Sequence, residues 1–171
     1  MTICIIDGMP IFFVQERPGF KGRLFKIIKF RSMKSTKLND LNLKDDCERT
    51  TTLGKFLRNN SLDELPEILN VIKGDMSFVG PRPLLKEYVE HFSASQMRRH
   101  DCLPGITGWA QVNGRNKLSW EQKFDLDLWY LENQSFALDI RIIFKTFGVV
   151  ILNKDVSPDD GKSVVKFTGS R

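Results

Sequence analysis

The sequence predicts an α+β fold: a mostly helical single domain with a short N-terminal β-hairpin, short strands further on, and amphipathic helices at a membrane surface. Three observations carry this reading. Two runs rich in β-branched and aromatic residues, 10–14 and 24–30, flank the turn-forming segment Arg17-Pro-Gly-Phe-Lys-Gly. Apolar residues then recur at helical spacing in 62–73, 119–132 and 136–153, the first two behind Ser-x-x-Glu or Ser-x-x-Gln capping boxes. No linker or internal repeat interrupts the 171 residues, so 1–171 reads as one domain, long enough to bury a substantial core.

Each element has its own signal. After the hairpin, residues 34–50 are polar and charged and read as a mobile surface loop. Helices are expected at 52–59, 62–73 and 84–100, followed by a glycine-punctuated, strand-like segment from Ile106 to Val112. In the second of these helices Ser61 is the expected cap, Leu65, Ile68, Leu69 and Ile72 form the apolar stripe, and Gly74 is the stop. Ser119 opens a helix to about Glu132 that places Trp120, Phe124, Leu128 and Leu131 on one face. Asp127 borders that face and needs a cation, a donor or a metal-bound water, whereas Asp125 points to solvent. The last helix, Phe136 to Asn153, is apolar on two sides. Phe136, Ile140, Ile143, Phe147 and Val150 form one, and Leu138, Ile142, Val149 and Leu152 lie on the other beside Arg141 and Lys145. Such a helix is either sandwiched by protein or lies on a bilayer. Burial on both sides is hard inside one small domain, which favours the membrane for the Leu138 and Ile142 side. The tail reads as a turn at 157–161 and a short strand at 163–167.

Net charge is +5 and the isoelectric point about 9.2, which suits anionic partners: nucleotide diphosphates, acidic lipid headgroups or nucleic acid. A nucleic-acid module would interleave stacking aromatics with basic residues, and that pattern is missing, so no nucleic-acid partner is expected. No apolar run reaches spanning length, and the start has no signal-peptide pattern. Cys4, Cys47 and Cys102 show neither zinc nor disulfide spacing, as befits a reducing cytoplasm. With only His91 and His100 in the chain, an oxygen-ligated magnesium is the more natural metal.

The densest chemistry lies in Ser61-Leu-Asp-Glu-Leu-Pro and Gly74-Asp-Met-Ser-Phe-Val-Gly-Pro-Arg-Pro83. Asp63 and Glu64 fall at a helix start, where ionised carboxylates are favoured and can hold a metal or attack phosphorus. Arg82 stands between two prolines that restrict its backbone, which suits bidentate binding of phosphate oxygens. A plain capped helix and a surface arginine remain the simpler alternatives.

These segments, with Gln15-Glu-Arg-Pro-Gly, Lys29-Phe-Arg-Ser-Met and Pro104-Gly-Ile-Thr-Gly-Trp-Ala-Gln-Val-Asn-Gly-Arg, resemble the bacterial sugar transferase family, and more narrowly its small monotopic phosphoglycosyl transferases. The likeness runs in order from about Gly8 to Ile151. It implies transfer of a sugar 1-phosphate from a UDP-sugar to polyprenyl (undecaprenyl) phosphate, giving a polyprenyl-diphospho-sugar and UMP. This would be the first membrane step of glycoconjugate or polysaccharide assembly, on the cytoplasmic face of the bacterial inner membrane. It further implies Asp63 as nucleophile and magnesium ligand, Glu64, Arg82 and Asp127 as active-site partners, and Lys29, Arg58 and Arg82 on substrate phosphates, with Mg2+ as cofactor; Arg115, in Asn113-Gly-Arg-Asn, is a further candidate for nucleotide or lipid phosphate. Family members also carry a membrane-inserted segment ahead of the position of Gly8, which the sequence as read lacks. The sugar is not specified by these motifs. A catalytically silent peripheral membrane scaffold of the same fold is the competing expectation.

Overall fold

The computed structural model describes residues 8–34, 49–114, 117–151 and 167–169. Most of the expected 34–50 loop, the tail turn with most of its strand, and Arg115 lie outside the described residues. The architecture is the predicted one, mostly helical with an N-terminal antiparallel hairpin.

Strands β1 (Phe12–Pro18) and β2 (Leu24–Phe30) pair with Phe12 opposite Phe30 and Pro18 opposite Leu24. The first strand therefore runs beyond its expected end at 14. Pro18 is tolerated at the last position of a strand with a free edge, and the reversal is confined to Gly19–Arg23, with Lys21 and Gly22 at positive φ. On β2 the two-residue period buries Phe25 and Ile27, which pack with Met76, while Lys26 faces out.

Asn70 fastens the next helices to β2. Its side chain is fully buried, accepts from the Ile28 amide at 3.1 Å and donates to the Lys26 carbonyl at 2.8 Å, standing in for a neighbouring strand. Helix α1 (Thr52–Asn59) matches expectation and is capped by the Thr51 hydroxyl. It backs directly onto the segment after β2, and a Cβ on Gly54 would fall 1.9 Å from the Ser32 carbonyl oxygen.

The expected helix over 62–73 is corrected. Leu62–Glu67 is a 3-10 turn that passes into a short α2 (Ile68–Ile72). Ser61 is left-handed at φ 54° and makes no capping bond. Pro66 supplies no amide to an α-helical ladder, and the Glu64 carboxylate that would complete a capping box is taken by cations instead. The apolar stripe is corrected too, because Leu65, Ile68, Leu69 and Ile72 are exposed while Pro66, Glu67 and Asn70 face inward. The polar face turns in because β2 offers partners to Asn70 and Glu67.

The expected 84–100 helix is also broken. It comprises a 3-10 turn Lys86–His91, α3 (Ala94–Met97) restarted by a Ser93–Gln96 capping box, and a 3-10 turn Arg98–Asp101. Short strand β3 (Ser77–Val79) pairs in parallel with β4 (Gly105–Thr107), and α4 (Trp109–Val112) replaces the rest of the expected strand. The chains touch so closely that a Cβ on Gly105 would lie 2.1 Å from the Gly80 nitrogen.

Helices α5 (Trp120–Asn133) and α6 (Phe136–Ile151) follow the sequence reading closely, and the Ser119–Gln122 capping box is present. Asp125 is exposed, as read. Asp127, however, lies within the buried face of α5 rather than at its border. Val79, Cys102, Tyr130 and Ile142 form the main core, with the Tyr130 hydroxyl donating to Asp139 at 2.7 Å. This overturns the membrane assignment of the Leu138 and Ile142 side. Ile142 is 0 % exposed and Leu138 packs on the core, because α4, β3 and β4 pack against α6 and Tyr130 of α5 joins the same cluster. The exposed face is Phe136, Ile140, Phe144 and Phe147.

A separate aromatic group joins Tyr88, Phe92, Trp120 and Phe124 around Phe167, whose ring centroid is 5.2 Å from that of Phe124 and 5.4 Å from that of Trp120. Phe167 is buried.

Candidate active site

Four separate segments bring the predicted residues together. The 3-10 turn after Ser61 supplies Asp63, Glu64 and Glu67, and the end of β2 supplies Lys29. Helix α1 supplies Arg58, and the loop after β3 supplies Arg82. Glu64 is the hub. Lys29 Nζ donates to its Oε1 at 2.7 Å, and Arg82 donates from Nη1 to Oε2 at 3.2 Å and from Nη2 to Oε1. Lys29 Nζ is also 3.1 Å from Oε1 of the buried Glu67. Burial alone would raise the Glu64 carboxyl, but the charges of Arg82 and Lys29 outweigh it and hold the group well below the usual carboxylate range. Glu64 is thus a permanent anion that aligns two cations.

Its neighbour has the opposite environment. Burial first, and the Glu64 charge second, push the Asp63 carboxyl above its ordinary value against the pull of Lys29, Arg58 and Arg82. Among the described residues no side chain hydrogen-bonds Asp63. Glu67 is likewise raised, by burial foremost. Arg58 is held through Nε, which donates to the Ser32 hydroxyl at 3.0 Å. Arg82 keeps 42 % of its side chain exposed, so its guanidinium can turn to an entering anion.

Asp127 does not contact this group directly. It forms a buried pair with Arg99, whose Nε and Nη2 donate to Oδ2 at 3.1 and 2.6 Å. The Arg115 assignment cannot be read from the described residues. Three further residues escaped the sequence reading. Glu67 shares Lys29, and Arg17 on β1 feels the Arg82 charge and keeps a buried Nε without a hydrogen-bond partner among the described residues. Arg99 is the third. Arg17 lies in one of the motif segments and was findable there, but Arg99 has no local signal, since its partner is 28 residues away.

Among the described residues no three His, Cys, Asp or Glu side chains group as a metal site, and no helix is long and apolar enough to cross a membrane. Three carboxylates face three cations here: Asp63, Glu64 and Glu67 against Lys29, Arg58 and Arg82. An entering diphosphate therefore brings negative charge that these side chains do not by themselves neutralise.

Comparison with known proteins agrees with the motifs. The bacterial sugar transferase profile matches residues 1–153. The uncharacterized sugar transferase EpsL of Bacillus subtilis is 48% identical over 99% of the chain, which spans 85% of that protein. A UDP-galactose-lipid carrier transferase of Erwinia amylovora is 40% identical over 85% of the chain and 34% of its own length. A UDP-glucose:undecaprenyl-phosphate glucose-1-phosphate transferase of Xanthomonas campestris is 44% identical over 80% of the chain, which covers 31% of it. The chain thus spans about a third of the length of these last two relatives. Since the profile runs through the hairpin, the carboxylate turn, the proline-flanked arginine and the last two helices, the chain belongs to the bacterial sugar transferase family and has its small phosphoglycosyl transferase fold.

Proposed function

We propose that the chain is a single catalytic domain that moves a sugar 1-phosphate from a UDP-sugar to polyprenyl (undecaprenyl) phosphate through an aspartyl-phosphosugar intermediate. The observation that carries this is the division of labour in the adjacent carboxylates. Glu64 is bound by Lys29 and Arg82, whereas Asp63 has no hydrogen-bonded side chain among the described residues and is open to attack phosphorus. An Asp63 oxygen forms a bond to the sugar-bearing phosphorus, and the bond from that phosphorus to the bridging oxygen breaks, releasing UMP with the electron pair. An oxygen of the lipid phosphate then attacks the same phosphorus and frees Asp63. Lys29, Arg58 and Arg82 compensate charge on the transferring oxygens. That the relatives are named for galactose and glucose leaves the donor sugar open.

Magnesium fits the donor set in one way. Asp63 is a single hard oxygen ligand, and a magnesium ion commonly takes one or two carboxylates and completes its shell with substrate phosphate and water. When bound, Mg2+ would neutralise the diphosphate and ease departure of UMP. The exposed Leu65, Ile68, Leu69 and Ile72 continue directly from Asp63 and Glu64, and Phe136, Phe144 and Phe147 are exposed on α6. Apolar surface so close to the carboxylates supports a lipid acceptor reached at an anionic membrane surface, on the cytoplasmic face of the inner membrane where UDP-sugars are available.

Intact-protein mass spectrometry after incubation with a panel of UDP-sugars and Mg2+ tests the covalent step. The expected result is an added phosphosugar on Asp63 that polyprenyl phosphate removes. Binding of donor without any adduct or turnover favours the scaffold reading. Arg82→Lys keeps the charge but loses the two-donor grip seen on Glu64, and is expected to lower kcat/KM by about 10²-fold. An unchanged rate in a steady-state assay returns Arg82 to a structural role.

A further inference from the structure

Arg99 takes no part in the proposed transfer, yet a buried arginine is costly unless its charge and donors are met. It is 4% exposed. Besides its two bonds to Asp127, its guanidinium carbon lies 5.6 Å from the Phe124 ring centroid and 5.9 Å from that of Phe92. Nη2 makes one more bond, donating to the backbone carbonyl of Arg82 at 2.9 Å. That carbonyl belongs to the Arg82–Pro83 peptide group, which has no N–H to be held by. Pro83 already restricts the Arg82 backbone to extended conformations. The bond from Arg99 fixes the remaining freedom, and with it the origin from which the Arg82 side chain reaches Glu64.

We propose that Arg99 is a positioning residue for Arg82, and that Asp127 acts on the active site through Arg99. The relay runs from the Asp127 carboxylate to Arg99, from Arg99 to the Arg82 carbonyl, and from the Arg82 guanidinium to Glu64. It rests on the reading of Arg82 as a phosphate-binding group. Lysine at 99 would keep a charge for Asp127, but one ammonium on a flexible stem does not reproduce the planar fork that holds a carboxylate and a carbonyl together.

The test is calorimetric titration of inorganic diphosphate with Mg2+, compared with kcat/KM for transfer. Arg82→Lys and Arg99→Lys are each expected to weaken diphosphate binding about tenfold. The double variant is expected to bind within about twofold of Arg82→Lys alone, since both changes remove one interaction. Asp127→Asn, which keeps the size and one acceptor, should show a smaller loss in the same direction and serves where Arg99→Lys fails to fold. Two results overturn the proposal: losses from Arg82→Lys and Arg99→Lys that multiply, or folded Arg99 and Asp127 variants that bind as wild type and merely melt lower. A wild-type protein that binds diphosphate but transfers no phosphosugar would instead count against the transferase reading, and the binding comparison would still decide the role of Arg99.

Discussion

Asp63→Asn is expected to reduce phosphosugar transfer on the order of 10³-fold or more, because the amide cannot form the acyl phosphate. The fold should not suffer. Among the described residues the carboxylate has no hydrogen-bonded side chain to lose, and burial together with Glu64 raises its pKa, so folding costs more for its charged form than for its neutral one. A neutral amide of the same size should leave stability at neutral pH equal to wild type, or higher by up to about 0.5 kcal/mol. The sign with pH follows from linkage. An acid raised on folding binds more protons in the native than in the unfolded state, so wild-type stability falls as pH rises from the ordinary carboxylate range through the raised value. The asparagine variant lacks that loss, and its advantage should vanish below that range. Thermal melts across pH and a steady-state assay check both halves. Near-normal turnover, with amide hydrolysis excluded, removes Asp63 as the nucleophile.

The largest effect on stability is expected at Ile142. Its side chain is 0 % exposed and touches the group formed by Val79, Cys102 and Tyr130. Serine there leaves a cavity and buries a hydroxyl, at a cost of about 3–5 kcal/mol. For a chain of this size that lowers Tm by roughly 6–20 °C. Phe144→Ser with Phe147→Ser should behave in the opposite way, since these rings are 72% and 61% exposed. Their melting point should stay within about 3 °C of wild type. If this face meets the bilayer, losing two rings worth about 1.5 kcal/mol each should weaken sedimentation with phosphatidylglycerol vesicles about 10²-fold. Vesicle binding unchanged in the double phenylalanine variant would mean that α6 does not contribute the membrane face.

What the sequence made legible was local. The hairpin needed only two β-rich runs and a Pro-Gly turn, and the Ser119 cap needed only Gln122 three residues on. The same capping pattern at Ser61 misled, because Glu64 is engaged by Lys29 from 35 residues upstream and by Arg82 from 18 residues downstream. Periodicity misled at Leu65 to Ile72 for a related reason. It identifies the apolar face, but Asn70 and Glu67 find partners on β2 and turn the polar face inward. The segments of the site were therefore visible, while its wiring was not. Glu67 and Arg99 become functional candidates only once distant segments are brought to within hydrogen-bonding distance.

The aromatic group around Phe167 has a consequence for biosynthesis. Phe92 and Phe124 form both the seat of the Arg99 guanidinium and the receiving surface for Phe167, which follows both in the sequence. Translation adds about 5–20 residues per second, so the two rings emerge seconds before the residue that covers them. By then the partners of the hairpin and the carboxylate turn, which run from Arg82 on to Lys86, Asp101 and Ile106, have also been made. The Asp127–Arg99 pair gains this aromatic cover only after residue 167 has been made. A nascent chain of this protein thus has every group of the phosphate-facing site before the ring that covers the support behind Arg82.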